Sequence, residues 1–150
     1  MRQPRHIEIR GRPVGEGAFP LVVTPLVGRT PQGIEAELEA IVPKRPDMLE
    51  WRIDFFEGIG DAALVRETAC AIRRAAGTVP LLLTRRKVAE GGQAVPVSET
   101  AVVALLRAAC EAQCVDLIDY ELSNPVGDMA HLRDVSAANG VALVASYHDF

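Results

Sequence analysis

The chain has 150 residues, 49% of them hydrophobic and 24% charged, which is enough apolar material for one packed domain and too much for a disordered tail. Sixteen Lys and Arg against 20 Asp and Glu leave a net charge of −4, and the basic residues are scattered, which argues against a broad nucleic-acid-binding face. Apolar runs such as Val79 to Leu83 and Val141 to Ala145 fall far short of the roughly 20 residues that cross a bilayer, so no membrane span is expected.

The N-terminus, Met1 to His6, passes into an alternating segment without the apolar stretch of an export signal, and the cytoplasm is the expected compartment. Cys70, Cys110 and Cys114 are odd in number and lack a Cys-x-x-Cys spacing. They read as buried free thiols rather than as a disulfide framework or a zinc site.

His6 to Arg10, then Gly11-Arg12 and Pro13 to Gly17, read as a small hairpin that could plug or cap an end of the fold. Beyond residue 20, short β-branched runs alternate with stretches of helical period, the pattern of parallel strands joined by covering helices. Strands are expected at Leu21 to Val27, Met48 to Asp54, Pro80 to Arg85, Val115 to Glu121 and Val141 to Ser146. The first helix starts at Thr30-Pro31, an N-cap followed by a proline at the first helical position, and stops by Pro43. The second starts near Asp61 and ends at Gly77; the third starts at Ser98; the fourth runs from about Asp128 to Asn139-Gly140.

Two architectures fit. A five-stranded doubly wound domain suits the length but would normally end with a helix over its last strand. Alternatively, units of about 30 residues taken eight times, plus a hairpin of about 20, give the roughly 260 residues of a (β/α)₈ barrel, of which this chain would be the first five units.

Both folds place function at the C-terminal ends of the strands, and the polar residues fall there. In Leu49-Glu50-Trp51-Arg52-Ile53-Asp54 a period of two puts Glu50, Arg52 and Asp54 on one face. That row is either a salt-bridge layer that tiles a barrel or part of a site. Strand three exits through Thr84-Arg85-Arg86 towards Glu90-Gly91-Gly92, strand four carries Asp116, Asp119 and Glu121, and strand five ends at Ser146-Tyr147-His148-Asp149. His131, in the middle of a helix, reads as a surface residue. The convergence of guanidinium, carboxylate and imidazole groups favours a site. Arg52 and Arg86 offer planar forks for a carboxylate or hydroxyls of a small oxygen-rich molecule, His148 is suited to moving a proton, and Glu90 or Glu50 could orient that imidazole. No glycine fingerprint for a nucleotide occurs.

These residues resemble the type I 3-dehydroquinate dehydratases. The resemblance runs through Val14 to Gly17, Thr24 to Gly28, the Glu50-Trp51-Arg52-Ile53-Asp54 segment, Leu81 to Thr84 with Arg86 and Glu90-Gly91-Gly92, Asp116 to Leu122, and Ser146-Tyr147-His148-Asp149-Phe150. It implies a (β/α)₈ TIM barrel of which residues 1–150 form a single, C-terminally incomplete domain with a hairpin over 1–20. It implies dehydration of 3-dehydroquinate to 3-dehydroshikimate in the shikimate pathway, through an imine with an enzyme lysine and with no metal or organic cofactor. His148 would be the general acid/base, Glu90 its paired carboxylate, and Glu50, Arg52 and Arg86 the substrate-binding residues. A small-molecule substrate and a homodimeric partner are expected.

The imine-forming lysine implied by the resemblance lies on the next strand, past Phe150. Lys44 reads as a solvated loop charge and Lys87 as a loop residue beside two positive charges, so little or no dehydratase activity is expected of these 150 residues alone. Another oxo-acid lyase or aldolase on the same barrel, and a non-catalytic interaction module, are the alternative readings.

Overall fold

The structure, a computed structural model, describes residues 7–14 and 20–149. Its elements are the short strands β1 (Ile7–Ile9) and β2 (Arg12–Val14), then β3 (Val23–Leu26), α1 (Pro31–Ile41), β4 (Met48–Arg52), α2 (Ala62–Ala75), β5 (Leu81–Thr84), α3 (Glu99–Glu111), β6 (Leu117–Glu121), α4 (Val126–Ala138) and β7 (Ala142–Ser146). Three helices start where a side chain satisfies the first free amides: Thr30 accepts from Gly33, Asp61 from Ala63 and Leu64, and Ser98 from Ala101. Helix α4 starts two residues before the expected Asp128, after Pro125, without a side-chain cap.

Strands β3 to β7 form one parallel sheet in the order β3-β4-β5-β6-β7. Each strand lies beside its predecessor, so the order never reverses as it does in a doubly wound sheet. Leu26, Leu49, Trp51, Leu81, Leu83, Ile118 and Tyr120 point to one face and share a single core with residues of all four helices, including Ile34, Ile72, Leu106 and Leu132. The helices therefore cover one side, and the chain forms the wall of a (β/α) barrel.

The opposite face is layered. At its N-terminal end Met48, Leu82 and Leu117 make a small apolar cluster with Ile9 of the hairpin, flanked by Val14, Ala142 and Val144. The next levels are polar: register aligns Arg52 with Thr84, Thr84 with Asp119, and Glu121 with Ser146. The change from apolar to charged along one face marks the strand exits as the chemical end.

A short hairpin packs against the N-terminal end of the sheet. Strands β1 and β2 pair antiparallel around Arg10 (φ 53°) and Gly11 (φ 73°), both left-handed as a two-residue type I′ turn requires. Residues 1–6 and 15–19 of that hairpin segment lie outside the described residues. Arg10 donates to the carbonyls of Gly77 (2.6 Å) and Val79 (3.3 Å) and faces Asp116 at 3.5 Å. Asp116 also meets Arg73 at 3.3 Å and accepts the Leu81 amide at 2.9 Å, so one carboxylate ties hairpin, α2 and β5 together. Asp116 thus lies at the base of the strand, away from the polar end where Asp119 and Glu121 sit. Asp116→Ala should cost about 1–3 kcal/mol in urea unfolding and speed amide exchange at Leu81; an unchanged midpoint would show that the tie carries no stability.

The cysteines depart from expectation. Cys70 on α2 and Cys114 form a disulfide with a Cα–Cα distance of 4.7 Å, and only Cys110 is a buried free thiol. Gln113, at φ 52°, turns the chain after α3 and brings Cys114 back against α2, a contact that sequence spacing does not encode. Among the described residues no helix is long and apolar enough to cross a membrane.

Candidate active site

Strand β4 ends at Arg52, two residues earlier than its alternation implies, because Ile53–Phe55 winds into a 3₁₀ turn. Asp54 is therefore not the third member of an inward row. It folds back under the strand end and takes the Arg52 guanidinium in a two-point contact, 2.8 Å at each oxygen. That hydrogen bond, opposed by burial and helped by the charges of Asp54, Glu50 and Asp119, raises the Arg52 pKa. The fork is fixed in direction, with the Phe55 ring centroid 5.1 Å from its carbon. Asp54 also accepts the backbone amides of Gln93 (3.0 Å) and Arg86 (3.4 Å), and so anchors both ends of the segment that follows β5.

That segment carries Arg86 and Glu90. Gly92 packs so closely on it that a Cβ there would meet the Arg86 carbonyl oxygen at 1.9 Å. A side chain at residue 92 would push the loop off Arg86. Arg86 is 7% exposed and sits among acceptors: Ser146 Oγ at 2.8 Å, Glu121 at 3.4 Å, Asp119 at 3.5 Å and Glu90 at 3.8 Å. Glu121 also takes the Lys87 amide at 2.7 Å, and Ser146 donates to Asp119 at 2.8 Å. Neighbouring Arg85 points to the helix side of the sheet and pairs with Glu99 at the start of α3.

Glu90 and His148, 58 residues apart, meet at the rim. Glu90 Oε2 is 3.0 Å from both the His148 Nδ1 and the His148 backbone amide, and Ser123 Oγ donates to Oε1 at 2.7 Å. Burial pushes the Glu90 pKa up, but the hydrogen bonds from Ser123 and His148 and the charge of Arg86 outweigh it and hold the group below the usual carboxylate range. An ionised carboxylate only accepts, so Nδ1 carries the hydrogen of this contact and Nε2 carries the lone pair of the neutral ring. Asp119 behaves oppositely: burial, reinforced by Glu121 and Glu50, raises its pKa despite Ser146 and Arg86.

The structure thus brings together Arg52, Arg86, Glu90 and His148, with Glu50 half-buried on the same face of β4 two residues before Arg52. Of the two carboxylates proposed for the imidazole, Glu90 occupies the position. Arg52, Arg86 and Glu90 are themselves members of ion pairs, so the salt-bridge layer and the candidate site share residues. His131 and Lys44 are exposed, as expected. Asp119, Ser146 and Ser123 hold the arrangement without having been singled out as site residues. Asp119 was legible from alternation with Glu121, and Ser146 belonged to the Ser146-Tyr147-His148-Asp149-Phe150 segment, but Ser123 carried no sequence signal beyond turn composition. Among the described residues no three His, Cys, Asp or Glu side chains are placed to hold a metal ion.

A wall of consecutive parallel strands, helices on one side and a dense guanidinium, carboxylate and imidazole cluster at the strand exits define a (β/α)-barrel protein with a polar cluster at its C-terminal face. The chain belongs to the type I 3-dehydroquinase family, whose pattern matches residues 22–150. It is 47% identical over 150 residues to a 3-dehydroquinate dehydratase of Albidiferax ferrireducens, covering all of this chain and 57% of that protein. A solved 3-dehydroquinate dehydratase from Geobacillus kaustophilus superposes with a TM-score of 0.92 at 39% identity, covering 97% of this chain and 56% of the other. A type I enzyme from Clostridium difficile, solved with covalently modified comenic acid, gives the same TM-score at 29% identity, covering 97% of this chain and 57% of its own. The chain spans somewhat more than half the length of these relatives.

Proposed function

We propose that these residues form the proton-transfer and substrate-holding part of a hydro-lyase that converts 3-dehydroquinate to 3-dehydroshikimate. The observation that carries the reading is the Glu90–His148 contact beside Arg86 and Arg52. In this reading the substrate ketone condenses with a lysine amine on the strand that follows His148 in the barrel, losing water and giving an iminium that draws electrons from the adjacent carbon. His148 Nε2 takes the proton from that carbon. The electron pair moves into the iminium system and then returns to expel the hydroxyl, which leaves as water with the proton His148 gives back, and water then hydrolyses the product iminium to release the ketone and free the lysine amine. Glu90 stays ionised and stabilises the imidazolium while it exists. Arg52 and Arg86 hold carboxylate or hydroxyl oxygens, and Glu50 accepts from substrate hydroxyls. The same reading includes a cytoplasmic homodimer.

The test is a chimaera joining residues 1–150 to the part of the Albidiferax ferrireducens relative that this chain does not cover. Dehydroquinate should be converted to the conjugated enone, followed by its ultraviolet absorbance, and borohydride should trap substrate on the added lysine. His148→Ala in that chimaera should lower turnover by about 10²–10⁴. A folded chimaera without turnover would sink the reading, as would turnover by the 150-residue chain with substrate trapped on Lys44 or Lys87.

A further inference from the structure

Glu90 stands on a single 3₁₀ turn, Val88–Glu90, whose other two residues, Val88 and Ala89, are exposed. Nothing so short fixes a carboxylate by backbone alone. Its two oxygens have separate partners: Oε2 faces the His148 ring and amide and lies 3.8 Å from Arg86, whereas Oε1 accepts from Ser123. A carboxylate held at one oxygen can turn about its last bond. A second contact on the other oxygen stops that rotation.

Ser123 follows β6 in a tight turn closed by the Asn124 amide on the Glu121 carbonyl. Serines in such turns commonly bond their own backbone. This one reaches across to a loop 33 residues away, at 2.7 Å, a length typical of a hydroxyl on an ionised carboxylate. We propose that Ser123 is a positioning residue whose hydroxyl locks the Glu90 carboxylate, so that Oε2 stays on His148 Nδ1 and the proton-accepting lone pair stays on Nε2. The proposal rests on the assignment of His148 as the proton carrier. The groups around Glu90 are Arg86 on its own loop, His148 after β7 and Ser123 after β6, with Asp119 and Glu121 sharing the Arg86 guanidinium. Of these, Ser123 alone is an exposed residue, which can be altered without opening the core.

The experiment uses the 150-residue chain, Ser123→Ala and Ser123→Thr, and needs no substrate. Carbon-13 NMR follows the Glu90 carboxyl through its titration, and hydrogen exchange follows the His148 amide. In Ser123→Ala the Glu90 titration should move upward and the His148 amide should exchange about tenfold faster. Ser123→Thr, which keeps the hydroxyl, should restore both. Amides of Leu83 and Ile118 report whether the sheet is intact. If Ser123→Ala leaves both signals of the Glu90–His148 pair in place, or if Ser123→Thr fails to restore them, the assignment of Ser123 falls. Since neither signal depends on turnover, failure of the chimaera assay would remove the functional reading without touching these measurements, and the reverse.

Discussion

Arg86→Met should lower the unfolding free energy of the chain by about 3–5 kcal/mol at neutral pH, with a deficit that shrinks as the pH falls through the carboxylate range. Arg86 is the buried cation for Glu90, Asp119 and Glu121, all within 4 Å of its guanidinium. Methionine fills similar space but supplies no charge, so three carboxylates stay desolvated without that partner. Arg85, 4.0 Å from Glu121 and already paired with Glu99, compensates little.

The sign of the pH dependence follows from the two shifted carboxyls. Glu90 has a lowered pKa in the folded chain, so its contribution is fully present above the ordinary carboxylate value and is lost as pH falls through the lowered one. Asp119 has a raised pKa, so the folded chain binds its proton more tightly and loses stability as pH rises through that window. Removing Arg86 moves both groups upward. The variant should therefore lose more stability than the parent between acid and neutral pH, measured by urea unfolding at a series of pH values. Arg86→Lys keeps the charge but not the fork, and should fall between the two. A deficit below about 1 kcal/mol, or one that does not change with pH, would show that the cluster is solvated and not a buried charge network.

The residues that announced the fold are those whose effect is local. Thr30, Asp61 and Ser98 start helices because a side-chain oxygen reaches an amide two or three residues away, and that distance is written in the sequence. Helix α4 has no such cap, and Asp128 in its first turn looked like a start. The end of β4 shows a second limit. A period of two continues through Asp54, yet the chain coils after Arg52, and the cause is non-local: Asp54 is held by amides of residues 86 and 93. Arg52, Arg86, Glu90 and His148 could be named from their chemistry and from the family resemblance. That Glu90, rather than Glu50, takes the imidazole depends on strand order, which places the β5 and β7 exits around β6. Ser123 was invisible for the same reason, since a serine after a strand looks like turn material until the neighbouring loop is in place.

The cysteines make the sharpest case, because a sequence reading of three free thiols and a structure with one bridge predict different stabilities. Residues 70 and 114 are 44 positions apart, and closing a loop of that length removes denatured-state entropy worth about 4 kcal/mol at 25 °C. Cys70→Ser should reduce unfolding stability by about that amount in the absence of reductant, and dithiothreitol should reduce the parent chain to the same level. Cys110→Ser should leave the effect of dithiothreitol unchanged. Thiol counting gives an independent readout: burial pushes the Cys110 thiol up to about 11, so the folded oxidised chain should react slowly. After denaturation it should release one thiol without reductant and three with it. Three thiols in the unreduced, air-oxidised chain would overturn the bridge. In a glutathione-reducing compartment the pair is expected to stand open. There the contact of α2 with the end of α3 must be held by the packing of Val65, Ala69, Leu106 and Cys110 in the shared core, and the difference between oxidised and reduced melting curves measures how much of the fold that packing holds unaided.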